Sequence, residues 1–191
     1  TVSGSCNPAE TSIAAVVVVN QAAAFTQQPV ASTIVCSGTG VTLTVATSGG
    51  TGVTYQWFKG ASPIAGATAP SYNIASTVVA DSGNYNCQVT VVSCGTITSE
   101  VAVVVVNQAP VITSQPQSQE ICVGQTATFT GVATGTNLTY QWYEGATAIP
   151  GATSNTYSIA NATEANSGDF YCIITSTSCP NIQTATVTLL V

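Results

Sequence analysis

Seven cysteines (Cys6, Cys36, Cys87, Cys94, Cys122, Cys172 and Cys179) are the residues of this 191-residue chain with the most reactive potential. Such cysteine usage points to an oxidising, extracellular compartment, although the number is odd. The carboxylates Glu10, Asp81, Glu100, Glu120, Glu144, Glu164 and Asp169 are single and scattered, with no DxD cluster of the kind calcium sites use. There is no histidine, which removes the usual general base and the commonest transition-metal ligand. The glycine stretches Gly38–Gly40 and Ser48–Gly50 read as turns, because no P-loop lysine follows them. The sequence therefore assigns no catalytic residue, cofactor or metal site, and a non-enzymatic protein is expected. Asn137 and Asn161 head N-x-Thr triplets, which arise often by chance in a threonine-rich chain.

Charge narrows the class of partner. Only 4% of residues are charged, the net charge is −6, and Lys59 is the one cation. Nothing here neutralises phosphates, so nucleic acid is excluded as a partner, and an anionic membrane surface is disfavoured. Apolar runs such as Ile13 to Val19 fall far short of the roughly 20 residues of a spanning helix, so no direct membrane insertion is expected.

The elements that must position these residues are strands. Period-two runs recur: VTLTVAT from Val41, VTYQWF from Val53, NYNCQVTV from Asn84 and TATVTLLV from Thr184. Clusters of Gly, Ser and Asn separate them, as in an all-β sandwich. The chain also repeats itself. TYQWFKGASPIAGAT from Thr54 returns as TYQWYEGATAIPGAT from Thr139, and Thr51–Val89 realigns on Thr136–Ile174 with roughly half the positions identical. Alternation turns Trp57 and Trp142 inward as core aromatics and leaves Gln56 and Phe58 outward. The stretch Cys6–Ala23 parallels Cys94–Pro110. Three pieces follow: residues 1–20 as the closing strand of a preceding repeat or a donated strand, and units at 21–107 and 108–191. The short, proline-bearing joint at Asn107–Pro110 implies stiff connection.

The motifs YQW, IxGAT and DSGxYxC (Asp81–Cys87; NSGDFYC at Asn166–Cys172), with the cysteines of VCSG and SCG, resemble immunoglobulin-like domains. More specifically, the chain resembles the tandem immunoglobulin-like repeats of large secreted or surface proteins of Bacteroidota-type bacteria. The resemblance covers essentially the whole chain and implies two sandwiches arranged head to tail.

The cysteines depart from that pattern. The position where the second strand usually carries a cysteine holds Val45 in the first unit and Gly131 in the second. Cys36 and Cys122 lie about nine residues upstream, too far along the sandwich for easy pairing with Cys87 or Cys172. Those two read as buried core thiols. In the implied fold Cys36 and Cys122 lie at the exit end of a sandwich, and Cys94 and Cys179 at the entry end, roughly 25 Å away. Three arrangements stay open. Consecutive repeats are stapled through Cys36–Cys179, with Cys6, Cys94 and Cys122 pairing beyond this segment. Alternatively each unit holds a distorted Cys36–Cys87 or Cys122–Cys172 bridge, or all seven are free. Two further departures concern the corner of the second unit. Phe170 replaces the tyrosine that braces it and Asn166 replaces the aspartate, so stability there must rest elsewhere.

Val101 and Val103 on the first closing strand, and Val16 and Val18 on the leading strand, turn apolar side chains outward and are candidate assembly surfaces. The expectation is an extracellular or cell-surface structural protein, forming a stiff stalk, fibre or filament. Its partners are further repeats of the same polypeptide or neighbouring copies. The alternative is an adhesin or carbohydrate-binding module recognising surface glycans.

Overall fold

The computed structural model describes residues 12–17, 19–92 and 94–191, which fold as two successive β-sandwiches on one plan. The first contains β1 (Ala24–Gln27), β2 (Ser32–Cys36), β3 (Val41–Thr44), β4 (Ala46–Ser48), β5 (Thr54–Lys59), β6 (Ser62–Pro63), β7 (Ser71–Ile74), β8 (Gly83–Val91), β9 (Gly95–Thr98) and β10 (Ala102–Asn107). The second contains β11 (Val111–Ser114), β12 (Gln119–Glu120), β13 (Ala127–Thr130), β14 (Val132–Thr134), β15 (Thr139–Glu144), β16 (Thr147–Ala148), β17 (Thr156–Ile159), β18 (Gly168–Ser176), β19 (Cys179–Gln183) and β20 (Val187–Leu190). In the first sandwich the larger sheet runs β2-β10-β8-β5-β6, with β9 paired antiparallel to β8, and the opposing layer is made of β1–β4 and β3–β7. The second sandwich repeats this order as β12-β20-β18-β15-β16, with β11–β14 and β13–β17 opposite. This is the tandem immunoglobulin-like architecture.

Alternation builds the core. Tyr85, Cys87, Val89 and Val91 of β8 face inward with Ala102, Val104 and Val106 of β10, and their neighbours face out. Trp57 is fully buried, and removing so large an apolar surface from water stabilises by about 2–3 kcal/mol. The repeated YQW…GAT sentence forms one hydrogen-bonded knot behind that tryptophan. Trp57 Nε1 donates to the Ala69 carbonyl at 3.0 Å, and its backbone N–H donates to Ala67. Contrary to the outward placement expected of it, Gln56 is half-buried. Its Nε2 donates to the carbonyls of Trp57 (2.9 Å) and Ile64 (2.8 Å). Gln141 does the same to Trp142 and Ile149. The long amide is a second donor to carbonyls that already accept the backbone N–H groups of Ile64 and Ala67, or of Ile149 and Ala152, and so clamps the β5–β6 and β15–β16 turns, which alternation alone does not reveal.

The second sandwich makes good its missing tyrosine. Tyr85 Oη donates to the Asp81 carbonyl at 2.7 Å. Phe170 has no hydroxyl, but Phe129 occupies the position of Leu43 and stacks on Phe170 at 5.1 Å. Asn166 also serves as well as aspartate at the corner. Its Oδ1 accepts from the Thr163 N–H at 2.9 Å, as Asp81 Oδ2 accepts from Val78 at 2.8 Å.

β10 is no edge strand: β2 runs parallel along it over Val103–Asn107, and β8 flanks its other side. The outer faces of Val101 and Val103 nevertheless remain partly exposed, at 48% and 38%. Of the leading segment, residues 12–17, 19 and 20 form no strand here, and Val16 is exposed. The closing positions of the two sandwiches are held by β10 and β20, and the reading of residues 1–20 as the closing strand of a preceding repeat, or as a donated strand, concerns a sandwich other than these two. Residues 1–11, with Cys6, and Val18 lie outside the described residues.

Candidate functional site

The place where chain chemistry and architecture meet is the joint between the sandwiches. Cys36 ends β2, is buried, and stands in parallel register opposite Asn107, the last residue of β10. Cys179 opens β19, just after a turn in which Ser178 takes a left-handed φ of 62°. The two cysteines are joined by a disulfide with Cα atoms 4.9 Å apart, across 143 residues of sequence. This bond replaces the alternatives of in-unit Cys36–Cys87 and Cys122–Cys172 pairs and of seven free thiols. Cys36 sits at the end of the sandwich, whereas Cys87 faces Trp57 at mid-strand.

Asn107 organises the polar half of the joint. Its carbonyl accepts from Ser37 N–H at 2.8 Å on the first sandwich, and its Nδ2 donates to the Thr177 carbonyl at 2.8 Å on the second. It is 4% exposed, so both bonds lie away from water, where leaving either unmade costs about 1–3 kcal/mol. Gln108 N–H then donates to Thr136 Oγ1 at 2.9 Å, and Thr136 N–H returns a bond to the Gln108 carbonyl at 3.2 Å. Ser176 Oγ closes the set on the Thr136 carbonyl at 2.6 Å. Gly135 has φ +152°, and a Cβ there would fall 3.0 Å from the Cα of Pro110, so the chain passes too closely for a side chain. Two covalent links, the peptide and the disulfide, thus cross one joint, with directional hydrogen bonds between them. Such an arrangement resists swivelling.

The other singled-out residues lie apart from this joint. Cys87 and Cys172 are buried thiols in the two cores, where burial pushes each up to about 11. They are protonated and unreactive at neutral pH. Burial first, then the Asp81 carboxylate and Tyr72, push Tyr85 up to about 12. Cys122 is an exposed thiol, and Cys94 a half-exposed one in the turn after β8. Trp142 is fully buried and donates from Nε1 to the Ser154 carbonyl at 2.9 Å. Asn107 and Thr136 were missed by sequence reasoning. The available signal was the hexapeptide VVVVNQ, which occurs at both 16–21 and 103–108 and carries the joint asparagine each time.

Residues 109–176 match the family model described as Immunoglobulin domain. No curated protein sequence matches the chain. Among solved structures, an I-band fragment from titin is similar with a TM-score of 0.72 and 17% identity, covering 91% of this chain and 66% of the titin fragment. The four N-terminal Ig domains of a Dscam1 isoform give 0.60 and 22%, covering 91% of this chain and 46% of that four-domain fragment. The first two Ig domains of DIP-gamma give 0.58 and 16%, covering 88% and 96%. This chain therefore spans about two thirds of the titin fragment and under half of the Dscam1 one. At these identities the likeness is one of fold.

Proposed function

We propose that the chain is a stretch of tandem immunoglobulin-like repeats in an extracellular or cell-surface stalk, fibre or filament, with a structural and non-enzymatic role. Repeats of this kind belong to large secreted or surface proteins of Bacteroidota-type bacteria, and units at 21–107 and 108–191 are the repeats here. The single observation that carries the reading is the doubly linked joint, Cys36–Cys179 beside the Asn107 bridge. A joint built to prevent swivelling serves a rod, and a disulfide there serves a protein living in an oxidising compartment. The partners are further repeats of the same polypeptide or neighbouring copies. The test is immunogold electron microscopy of the native source with antibodies raised against this chain. Label along extracellular fibres or stalks is expected, and label confined to the cell interior refutes the reading.

A second reading, an adhesive or carbohydrate-binding module, has one observation in its favour. Tyr143 and Tyr171 stack across β15 and β18 at 5.1 Å with planes 1° apart, half-exposed on the outer face of the second sandwich. Exposed aromatic surface of this kind is what sugar rings pack against. Binding to a glycan array that disappears in the Tyr143→Ala, Tyr171→Ala variant would favour this second reading over the first.

A further inference from the structure

The two ends of the chain carry the same parts as its central joint, sorted into complementary halves. At the exit end of the second sandwich, Gln125 N–H donates to the Cys122 carbonyl at 3.1 Å and Gly124 N–H to Ala162 at 2.7 Å. The turn of Cys36 has the same bonds at the same lengths: Thr39 to Cys36 at 3.1 Å and Gly38 to Thr77 at 2.7 Å. The β12–β20 ladder pairs Gln119 with Leu189 and Glu120 with Leu190, so its register carries Cys122 to the position just after Val191. In the first sandwich that position is held by Asn107. Cys36 is covered by the second sandwich and bonded, whereas Cys122 has the same setting and is exposed as a free thiol.

The entry end of the first sandwich mirrors that of the second. Cys94 follows β8 as Cys179 follows β18. A shallow hollow on the first sandwich is lined by Val19, Asn20, Gln21, Gly49, Gly50 and Thr51. Among them are the counterparts of Asn107, Gln108, Gly135 and Thr136. Gly49 has φ +74°, and a Cβ there would fall 2.5 Å from the Ala22 carbonyl, the same close passage that Gly135 permits at Ala109 and Pro110. The VVVVNQ hexapeptide thus brings Asn20 and Gln21 to the entry end of the first sandwich, where both are exposed, while the second copy's Asn107 is buried and bonded at the joint.

We infer that Cys122 and Cys94 are the two halves of further inter-repeat disulfides. Cys122 takes the Cys179-type cysteine of a repeat packed on the exit end, and Cys94 takes the Cys36-type cysteine of a repeat packed on the entry end. The partner is a repeat of this same kind. The inference deepens the stalk reading and rests on it for the source of that partner. Bond formation needs a disulfide oxidant such as oxidised glutathione. One thiolate displaces glutathione to give a mixed disulfide, and the facing thiolate then displaces the second glutathione. Two protein thiols are oxidised and one oxidised glutathione becomes two reduced molecules.

The experiment extends the full chain at Val191 with a second copy of residues 20–107, which sets Asn20 at the Asn107 position and the added Cys94 against Cys122. After refolding in a glutathione redox buffer, peptide mapping without reduction is expected to recover a Cys122–Cys94 linked peptide. Both thiols should vanish from native alkylation, and a Cys122→Ser change should restore the added Cys94 to full labelling. A folded, cooperatively melting fusion in which Cys122 and the added Cys94 both stay alkylatable overturns the inference, as does linkage of Cys122 to Cys172. A fusion that melts without cooperativity also counts against it, because matched ends join without unfolding. None of these outcomes bears on where antibodies label the native source, so the stalk reading stands or falls separately.

Discussion

Removing the Cys36–Cys179 bond is expected to do more than lower stability: it should split one unfolding transition into two. With the first sandwich folded, Cys36 is pinned beside Asn107, so unfolding the second alone leaves a closed loop from Asn107 to Cys179, a separation of 72 residues. The chain-entropy relation gives about 4 kcal/mol for such a loop. Unfolding the first alone leaves a loop of nearly equal length from Cys36 to Asn107, with a similar penalty. When both unfold, the loop spans 143 residues and the penalty rises only to about 5 kcal/mol. Nearly the whole effect therefore falls on whichever sandwich opens first, and the half-unfolded state is suppressed. Differential scanning calorimetry of the oxidised chain, the reduced chain and the Cys36→Ser, Cys179→Ser variant tests this. The oxidised chain should melt in one transition. Without the bond, two transitions should appear, the first lower by about 15 °C or more for a domain of this size. The second sandwich should melt first, because its β12–β20 ladder has two residue pairs where β2–β10 has five. Equal numbers of transitions with midpoints within about 3 °C would refute the reasoning.

Tyr85→Phe should cost the first sandwich about 1 kcal/mol at neutral pH through loss of the bond to Asp81. The Tyr85 phenol keeps its proton up to about 12 when folded but releases it near 10 when unfolded, so stability present below pH 10 is lost as the pH rises toward 12. Urea titrations across that range should show a shallower decline in the variant. Gln141→Ala, measured by chemical denaturation, should destabilise the second sandwich by about 1–2 kcal/mol, since the carbonyls of Trp142 and Ile149 lose a donor. In native alkylation followed by mass spectrometry, Cys122 should label fastest and Cys94 next, while Cys87 and Cys172 should label only on unfolding.

Much of this architecture is legible in the residues, and the exceptions have physical reasons. Strict alternation in β8 and β10 sets which side chains face the core, and the doubled YQW sentence sets the number of sandwiches. The distance along a strand was enough to turn attention from Cys87 toward another partner for Cys36. What alternation does not carry is the fate of a side chain that points outward and folds back. Gln56 reads as solvent-facing until the turn carbonyls it serves are seen, and Gln141 repeats the arrangement. Compensation across layers was equally hidden. Phe129 and Phe170 lie far apart in sequence, and only packing shows that the larger residue at one position answers the lost hydroxyl at the other. Asn107 could be found only by asking why an identical hexapeptide carries asparagine before its final glutamine twice.

The disulfide at the joint also sets how far the chain extends under tension. A pull applied at the two ends follows the shortest covalent route, which enters along the chain to Cys36, crosses the sulfur–sulfur bond and leaves from Cys179. Everything between those cysteines hangs as a side loop that bears no covalent load. Drawn out straight, the 143 residues separating them would add roughly 480 Å at about 3.4 Å per residue. While the bond is intact that length is withheld, even if both sandwiches open. The segment is therefore a nearly inextensible link when oxidised and a long elastic reserve when reduced.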